Sequence, residues 1–331
     1  MSCDKFDRPV LVVVDHLGDE ENGYTLTAAS EHLLKVAGTL TNNEVIALVL
    51  NASPQMEKLS ACGVSRVVVP ELAGRSPRVS SVVADAVIAA ERALAQNPLG
   101  AILCLSNYRG REVAAFLGAH FRSGAATDVT DVSVVDGAIS AHKSVLGGQW
   151  KTAFTIPSGL PIVAMRPGAG EAAEPTPVAT PGIIPVNVNF SAPSDAVEVM
   201  ELEELKEHGP ALTEAGTVVC VGYGTDGEIE DAQALADRLN GAIGATRAVC
   251  DEGWVERSRQ IGQTGVSVAP NLYIGVGVSG AIHHTCGISG AQKIVVINED
   301  EEAPLVKLAD LAVIGDCHEV LAEVLTELEQ S

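Results

Sequence analysis

The run Thr217-Val-Val-Cys-Val221, followed by Gly222-Tyr-Gly224-Thr-Asp-Gly227 and then by Glu228–Leu239, decides the fold. The first five residues have the composition of a buried strand, the glycines punctuate it, and the last segment carries apolar residues at helical spacing. A strand, a glycine turn and a helix form the repeating unit of doubly wound α/β sheets. Thr225 and Glu228 stand in the capping-box relation and predict that the helix starts there. The glycines also spell G-x-G-x-x-G, a pattern that lets backbone approach a pyrophosphate at a helix N-terminus. The acidic residue such a fingerprint needs, ~20 positions on at a second strand end, does not stand clearly in place. The turn therefore reads as a dinucleotide fingerprint or as a tight turn at a ligand-facing rim.

The same alternation extends in both directions. Strands are expected at Val10–Val14, Val45–Leu50, Val67–Val69 and Ala101–Leu105, and later at Leu272–Val276, Ile294–Ile297 and Leu311–Ile314. Helical patterns fall at Leu26–Ala37 (stopped by Gly38), Val82–Leu94, Glu112–Phe121 and Cys317–Leu328. Six of the 16 prolines lie between Pro167 and Pro193. Proline fixes φ and removes a donor, so that stretch is neither helix nor central strand and reads as an extended connection. The acidic run Val197–Glu207 follows and reads as a solvated face, with a docking site as the alternative. The expectation is two doubly wound α/β domains with mostly parallel sheets: residues 1–190, a linker at 191–205, and a ligand-binding domain at 206–331.

Composition excludes whole classes of function. The 331 residues carry 21 Lys and Arg against 43 Asp and Glu, a net charge of −22, which disfavours nucleic acid and anionic membrane surfaces. Hydrophobic residues reach 47% while aromatics are only 3%, and 32 glycines are present, as suits buried parallel sheets covered by helices. The seven cysteines form no CxxC, so they read as buried, reduced thiols and no metal site is expected. The N-terminus shows no signal-peptide pattern and no run reaches the ~20 apolar residues of a membrane span, so a cytoplasmic protein is expected.

Three further places can carry chemistry. Gly244-Ala-Thr246-Arg247 puts a guanidinium at an expected strand end, where it is a surface charge, a phosphate clamp or a cation over an aromatic ring. Ile261-Gly262-Gln263-Thr264-Gly265 is an ordinary polar turn or a ligand-contacting one. Val278-Ser279-Gly280-Ala281-Ile282-His283-His284 follows a strand and opens a helix, a geometry suited to phosphate. Adjacent histidines on a helix point about 100° apart and nothing downstream completes a zinc set, so a hydrogen bond to a cofactor ring is better supported than a metal.

In order and spacing, Thr246-Arg247, Gly262-Gln263-Thr264-Gly265, Ser279-Gly280-Ala281-Ile282-His283-His284, Ile297-Asn298, Ala303-Pro304 and Gly315-Asp316 resemble the FAD domain of the electron-transfer flavoprotein α subunit. Arg122-Ser-Gly-Ala-Ala-Thr127-Asp128-Val129-Thr130 resembles the same family more loosely. The resemblance implies an FAD-binding subunit that pairs with a β subunit and passes electrons, one at a time, from donor dehydrogenases to an acceptor oxidoreductase. It implies Arg247 against the flavin ring, Thr264 at N5, and His284 donating near the C2 carbonyl. Gln263, Ser279, Asn298 and Asp316 are implied to hold the ribityl, pyrophosphate and adenosine parts, with Tyr223, Ile261, Gly280, Ala281, Ile282 and Cys317 in the same cofactor site. Tyr223 stands where the family commonly has Arg, and His283 where it has Gln. Asp316 with Glu319 also forms a helix-capping pattern. Two other classes stay open: an NAD-dependent dehydrogenase using Gly222, Gly224 and Gly227, and a non-redox nucleotide-binding scaffold subunit.

Overall fold

The computed structural model describes residues 4–19, 23–145, 150–178, 180–202 and 209–329. Contacts divide these into two units, one of the described residues within 4–144 and 151–202, the other of residues 145, 150 and 209–329. In chain order the first unit begins β1 (Val10–Val14), β2 (His16–Asp19), β3 (Gly23–Leu26), α1 (Ala28–Leu40), β4 (Val45–Val49) and α2 (Met56–Ala61). It goes on through β5 (Val64–Glu71), α3 (Ser80–Ala93), β6 (Ala101–Leu105), α4 (Tyr108–Phe121) and β7 (Ala125–Val129). It ends with β8 (Asp131–Val135), β9 (Ala138–Val145), β10 (Trp150–Ile156), β11 (Ile162–Met165), β12 (Gly182–Asn187) and α5 (Ala192–Asp195).

Its seven-stranded sheet runs β12-β5-β4-β1-β6-β11-β7, with parallel neighbours. Strands β1, β4 and β6 are buried at every position, which is why they read as continuous apolar runs. Helices α3 and α4 cover one face, and α1 and α2 the other together with the antiparallel sheet β10-β9-β8.

The second unit holds β13 (Thr217–Val221), α6 (Glu230–Arg238), β14 (Ala242–Ala245), α7 (Arg247–Asp251) and β15 (Leu272–Val276). It closes with α8 (Ile282–Thr285), β16 (Lys293–Asn298), β17 (Leu311–Ile314) and α9 (Cys317–Glu329). The parallel sheet order is β14-β13-β15-β16-β17. Helices α6 and α9 pack on one face. The other face is sealed by Leu212, Ile261, Val268, Ile288 and Leu305, supplied by loops and turns.

Several expectations are corrected by local physics. Gly38 does not stop α1, which continues to Leu40; a Cβ at Gly38 meets nothing within 4 Å. Thr225 does not cap α6. Its hydroxyl donates to Gly222 O (2.9 Å) in a single 3₁₀ turn, and the helix begins at Glu230. The proline-rich stretch contains β12, and Pro185 is tolerated because β12 is an edge strand. Residues 191–195, expected within the linker, are anchored on the first unit: buried Asp85 accepts from Ser191 N (2.8 Å), Ser191 Oγ (2.9 Å) and Ser194 Oγ (2.6 Å). Of the acidic run, residues 203–207 lie outside the described residues.

Gly38→Ala should stabilise the protein by about 0.5–1 kcal/mol, since a helix-interior glycine is replaced without a clash. Urea unfolding measures it, and any loss of stability would contradict the assignment of an uninterrupted α1.

Candidate functional site

In the second sheet the winding reverses between β13 and β15, so the turns leaving their carboxyl ends diverge and open a crevice. A cleft of about 620 Å³ lies there. Its walls come from the turn after β13, the start of α7, the loop at 260–264, the turn after β15, α8 and the end of β16.

Two glycines explain why these turns can meet. A Cβ on Gly222 would stand 2.2 Å from Gly277 O, so only glycine allows the two switch-point turns to touch. That contact is then laced by Gly222 N–H to Val276 O (2.8 Å) and Gly224 N–H to Gly277 O (3.1 Å). Gly262 adopts φ +138°, and a Cβ there would meet His283 O at 2.4 Å, which seats the 260–264 loop on α8. The G-x-G-x-x-G pattern thus serves backbone-to-backbone packing at the rim, and Gly227 lies under the Trp254 ring.

Most expected residues converge here: Tyr223, Thr246, Arg247, Ile261, Gly262, Gln263, Thr264, Ser279, Gly280, Ala281, His283, His284 and Asn298 all line the cleft. Ile282, Asp316 and Cys317 do not. Asp316 Oδ1 instead accepts from His318 N (2.8 Å) and Glu319 N (3.1 Å), capping α9, and these backbone donors hold its carboxyl below the usual range. Cys317 Sγ reaches Gly224 O (3.4 Å) and braces the turn from behind.

The charged rim is organised around Asp251, one helical turn beyond Arg247. Its carboxylate takes Arg247 Nε (3.2 Å) and also pairs with Arg257, and these hydrogen bonds hold its pKa below the ordinary value. Arg247 remains 67% exposed, so its guanidinium is available to a ligand. Tyr223 is exposed and stacks on Trp254 (centroids 5.3 Å apart, 29° between planes). His283 Nδ1 pairs with Gln263 Oε1 (2.5 Å), an interaction that requires the ring N–H to donate and leaves the Gln263 Nε2 hydrogens for other partners.

His284 departs from expectation. Its ring is 6% exposed, with Nδ1 against Ile261 O (3.1 Å) and Nε2 against Tyr273 Oη (2.7 Å). A carbonyl only accepts, so Nδ1 carries the proton and donates; Nε2 accepts from the tyrosine hydroxyl. Burial pushes the ring pKa down to about 4 and the fully buried Tyr273 pKa well up. Both ring nitrogens are engaged inside the protein, so the ring offers the cleft no proton. Asn298 is likewise used internally: Nδ2 donates to Val278 O (2.9 Å) and Oδ1 accepts from Asp300 N (3.0 Å).

Ala248, Asp251, Gln260, Gly277 and Asp300 line the cleft without having been anticipated. Only Asp251 had a visible signal, its i+4 spacing from Arg247. Five of the six described cysteines are buried; burial raises Cys220 and Cys104 to about 12. Cys3 lies outside the described residues. Among the described residues no helix is long and apolar enough to cross a membrane.

Residues 14–191 match the family described as the electron transfer flavoprotein domain, and residues 211–289 match the electron transfer flavoprotein FAD-binding domain. The chain is 35% identical over 328 residues to the electron transfer flavoprotein subunit alpha of Mycobacterium tuberculosis, covering 96% of this chain and 97% of that one. It is 33% identical over 322 residues to the corresponding protein of Mycobacterium leprae (95% and 96%). Identity to that of Bacillus subtilis is 28% over 320 residues (95% and 96%).

Burying a neutral histidine makes stability depend on pH. His284 has a folded pKa near 4 against about 6.5 unfolded, so between those values the unfolded chain binds the extra proton. Its contribution is complete above pH 6.5 and is lost as pH falls toward 4. In the FAD-free protein, wild type should lose about 2 kcal/mol more than His284→Gln between pH 8 and pH 5 by urea unfolding. Equal losses would mean the ring is not held neutral.

Proposed function

The chain belongs to the electron transfer flavoprotein α-subunit family, and from that premise we propose that the switch-point cleft holds FAD and that the protein works as the redox half of an α/β heterodimer. It is an FAD-binding electron-transfer flavoprotein subunit; the dehydrogenase that donates and the oxidoreductase that accepts are read here only as protein redox partners. The proposal places the pair in the cytoplasm, where buried thiols stay reduced.

The donor set in the cleft fits the cofactor. FAD combines a flat ring, a polyol, a diphosphate and an adenosine, and it supplies electron storage and release when bound. Arg247 offers a planar cation that suits either a ring face or a phosphate. Thr264, Ser279 and the Gln263 amide offer hydroxyl and N–H groups. Ala248, Ile261, Ala281 and Ala303 supply apolar wall between them. No nucleophile–base pair is needed by this arrangement, and Tyr273 and Cys220 are kept protonated by burial.

Arg247 carries the reading. Its exposed guanidinium is tied at one nitrogen to Asp251, which aims it without consuming it. A fixed cation beside the ring favours the negatively charged reduced cofactor and so raises the midpoint potential. His284, buried and neutral, contributes shape and loop position in this account rather than charge. The dehydrogenase alternative is disfavoured because Gly222 and Gly277 spend their missing side chains on one another.

Arg247→Ala should lower the two-electron midpoint potential of the bound flavin by roughly 20–45 mV, the equivalent of about 1–2 kcal/mol, with most FAD retained. Arg247→Lys should recover part of the shift, since a compact ammonium cannot reproduce a planar contact. Weakened FAD binding at unchanged potential would instead assign Arg247 to the diphosphate.

A further inference from the structure

We propose that Gln260 is a positioning residue: its amide holds the Thr264 hydroxyl so that the hydroxyl proton is donated into the cleft, and Arg257 fixes the amide for that task. The inference rests on the reading of this cleft as the FAD site and deepens it.

Gln260 is 1% exposed, at the point where the chain passes the carboxyl end of β14. Its main chain is locked, with N–H to Arg257 O (3.1 Å) and C=O accepting from Val266 N (2.8 Å). The side-chain amide has a donor end and an acceptor end, and the neighbours decide which points where. A guanidinium has donors only, so the end facing Arg257 Nη1 must be Oε1, and the two lie 3.3 Å apart. That leaves Nε2 toward Thr264 Oγ1 at 2.8 Å. An amide nitrogen cannot accept, so Oγ1 receives this bond and the threonine proton is turned away from Gln260. Thr264 is exposed and lines the cleft, so that proton is presented to whatever occupies it.

Arg257 is not free to drift, because Asp251 holds it together with Arg247. One continuous chain therefore runs Arg247–Asp251–Arg257–Gln260–Thr264 and joins a cation and a hydroxyl on the cleft wall. Gln260 acts through Thr264. The competing role is a direct contact of its own amide with the cofactor, and a double-mutant cycle separates the two.

The test titrates FAD into the full chain stripped of cofactor, for wild type, Gln260→Glu, Gln260→Met, Thr264→Val and Gln260→Met combined with Thr264→Val, with the midpoint potential of the loaded proteins as second readout. Glutamate is isosteric and keeps Arg257, but it only accepts, so the threonine hydroxyl turns back to donate to it. Each single change should weaken FAD about tenfold, the net worth of one hydrogen bond, and lower the potential in the same direction. Glutamate also brings a charge that acts in either background, so the coupling is read from Gln260→Met, which removes the donor without adding charge. Combined with Thr264→Val, Gln260→Met should be no weaker than Thr264→Val alone. An equal effect of Gln260→Met in both backgrounds would overturn the proposal in favour of direct contact. So would weakening by Thr264→Val with none from Gln260→Glu, or no effect of Thr264→Val at all. Failure of wild type to bind FAD would instead remove the underlying reading of the cleft.

Discussion

The second unit depends on one close approach, that of the turn after β13 to the turn after β15. Both strands end at the same level of a parallel sheet, and the chain leaves them in opposite senses. Without side chains at Gly222 and Gly277 the two turns pack backbone to backbone, and the turn after β13 donates two hydrogen bonds, to Val276 O and Gly277 O. Any side chain at Gly222 would drive them apart and alter the floor of the crevice. Above that floor the 260–264 loop is seated through Gly262 against α8, and His284 bonds the same loop from below. The supports of the cleft are main chain and buried polar groups, the kind of backing that holds ligand-contacting groups in place.

Charge is distributed with a purpose that the net value of −22 conceals. Arg247 at the cleft wall and Arg257 behind it share the carboxylate of Asp251, so an exposed guanidinium faces the cleft of an acidic protein. Beneath it, burial strips His284 of its charge and keeps the Tyr273 and Cys220 hydrogens in place. A cation at the rim over a neutral interior suits a cofactor that gains negative charge on reduction.

The fully buried parallel strands were legible because both faces are covered and the runs are continuously apolar, as in β1, β4 and β6. The antiparallel strands β8–β10 escaped notice because Asp131, Ser133 and Lys143 interrupt any apolar run and only alternate positions face the core. Strand β12 was hidden by Pro185, whose tolerance depends on an edge position that no local pattern reveals. At the site, the glycine-bounded loops announced themselves, and most of the residues they carry reach the cleft. Asp316 and His284 did not behave as their positions in those motifs implied, since backbone donors claim the first and Ile261 and Tyr273 the second. Gln260 was invisible because its role depends on a guanidinium three residues away, which turns a generic amide into a directed one.

The central claim, that the second unit alone contains the FAD site, is tested most directly by the visible spectrum of a fragment of residues 205–331 after desalting. One flavin per folded chain is the predicted result. A fragment that is folded by circular dichroism yet colourless, and that stays colourless after incubation with FAD, would contradict it.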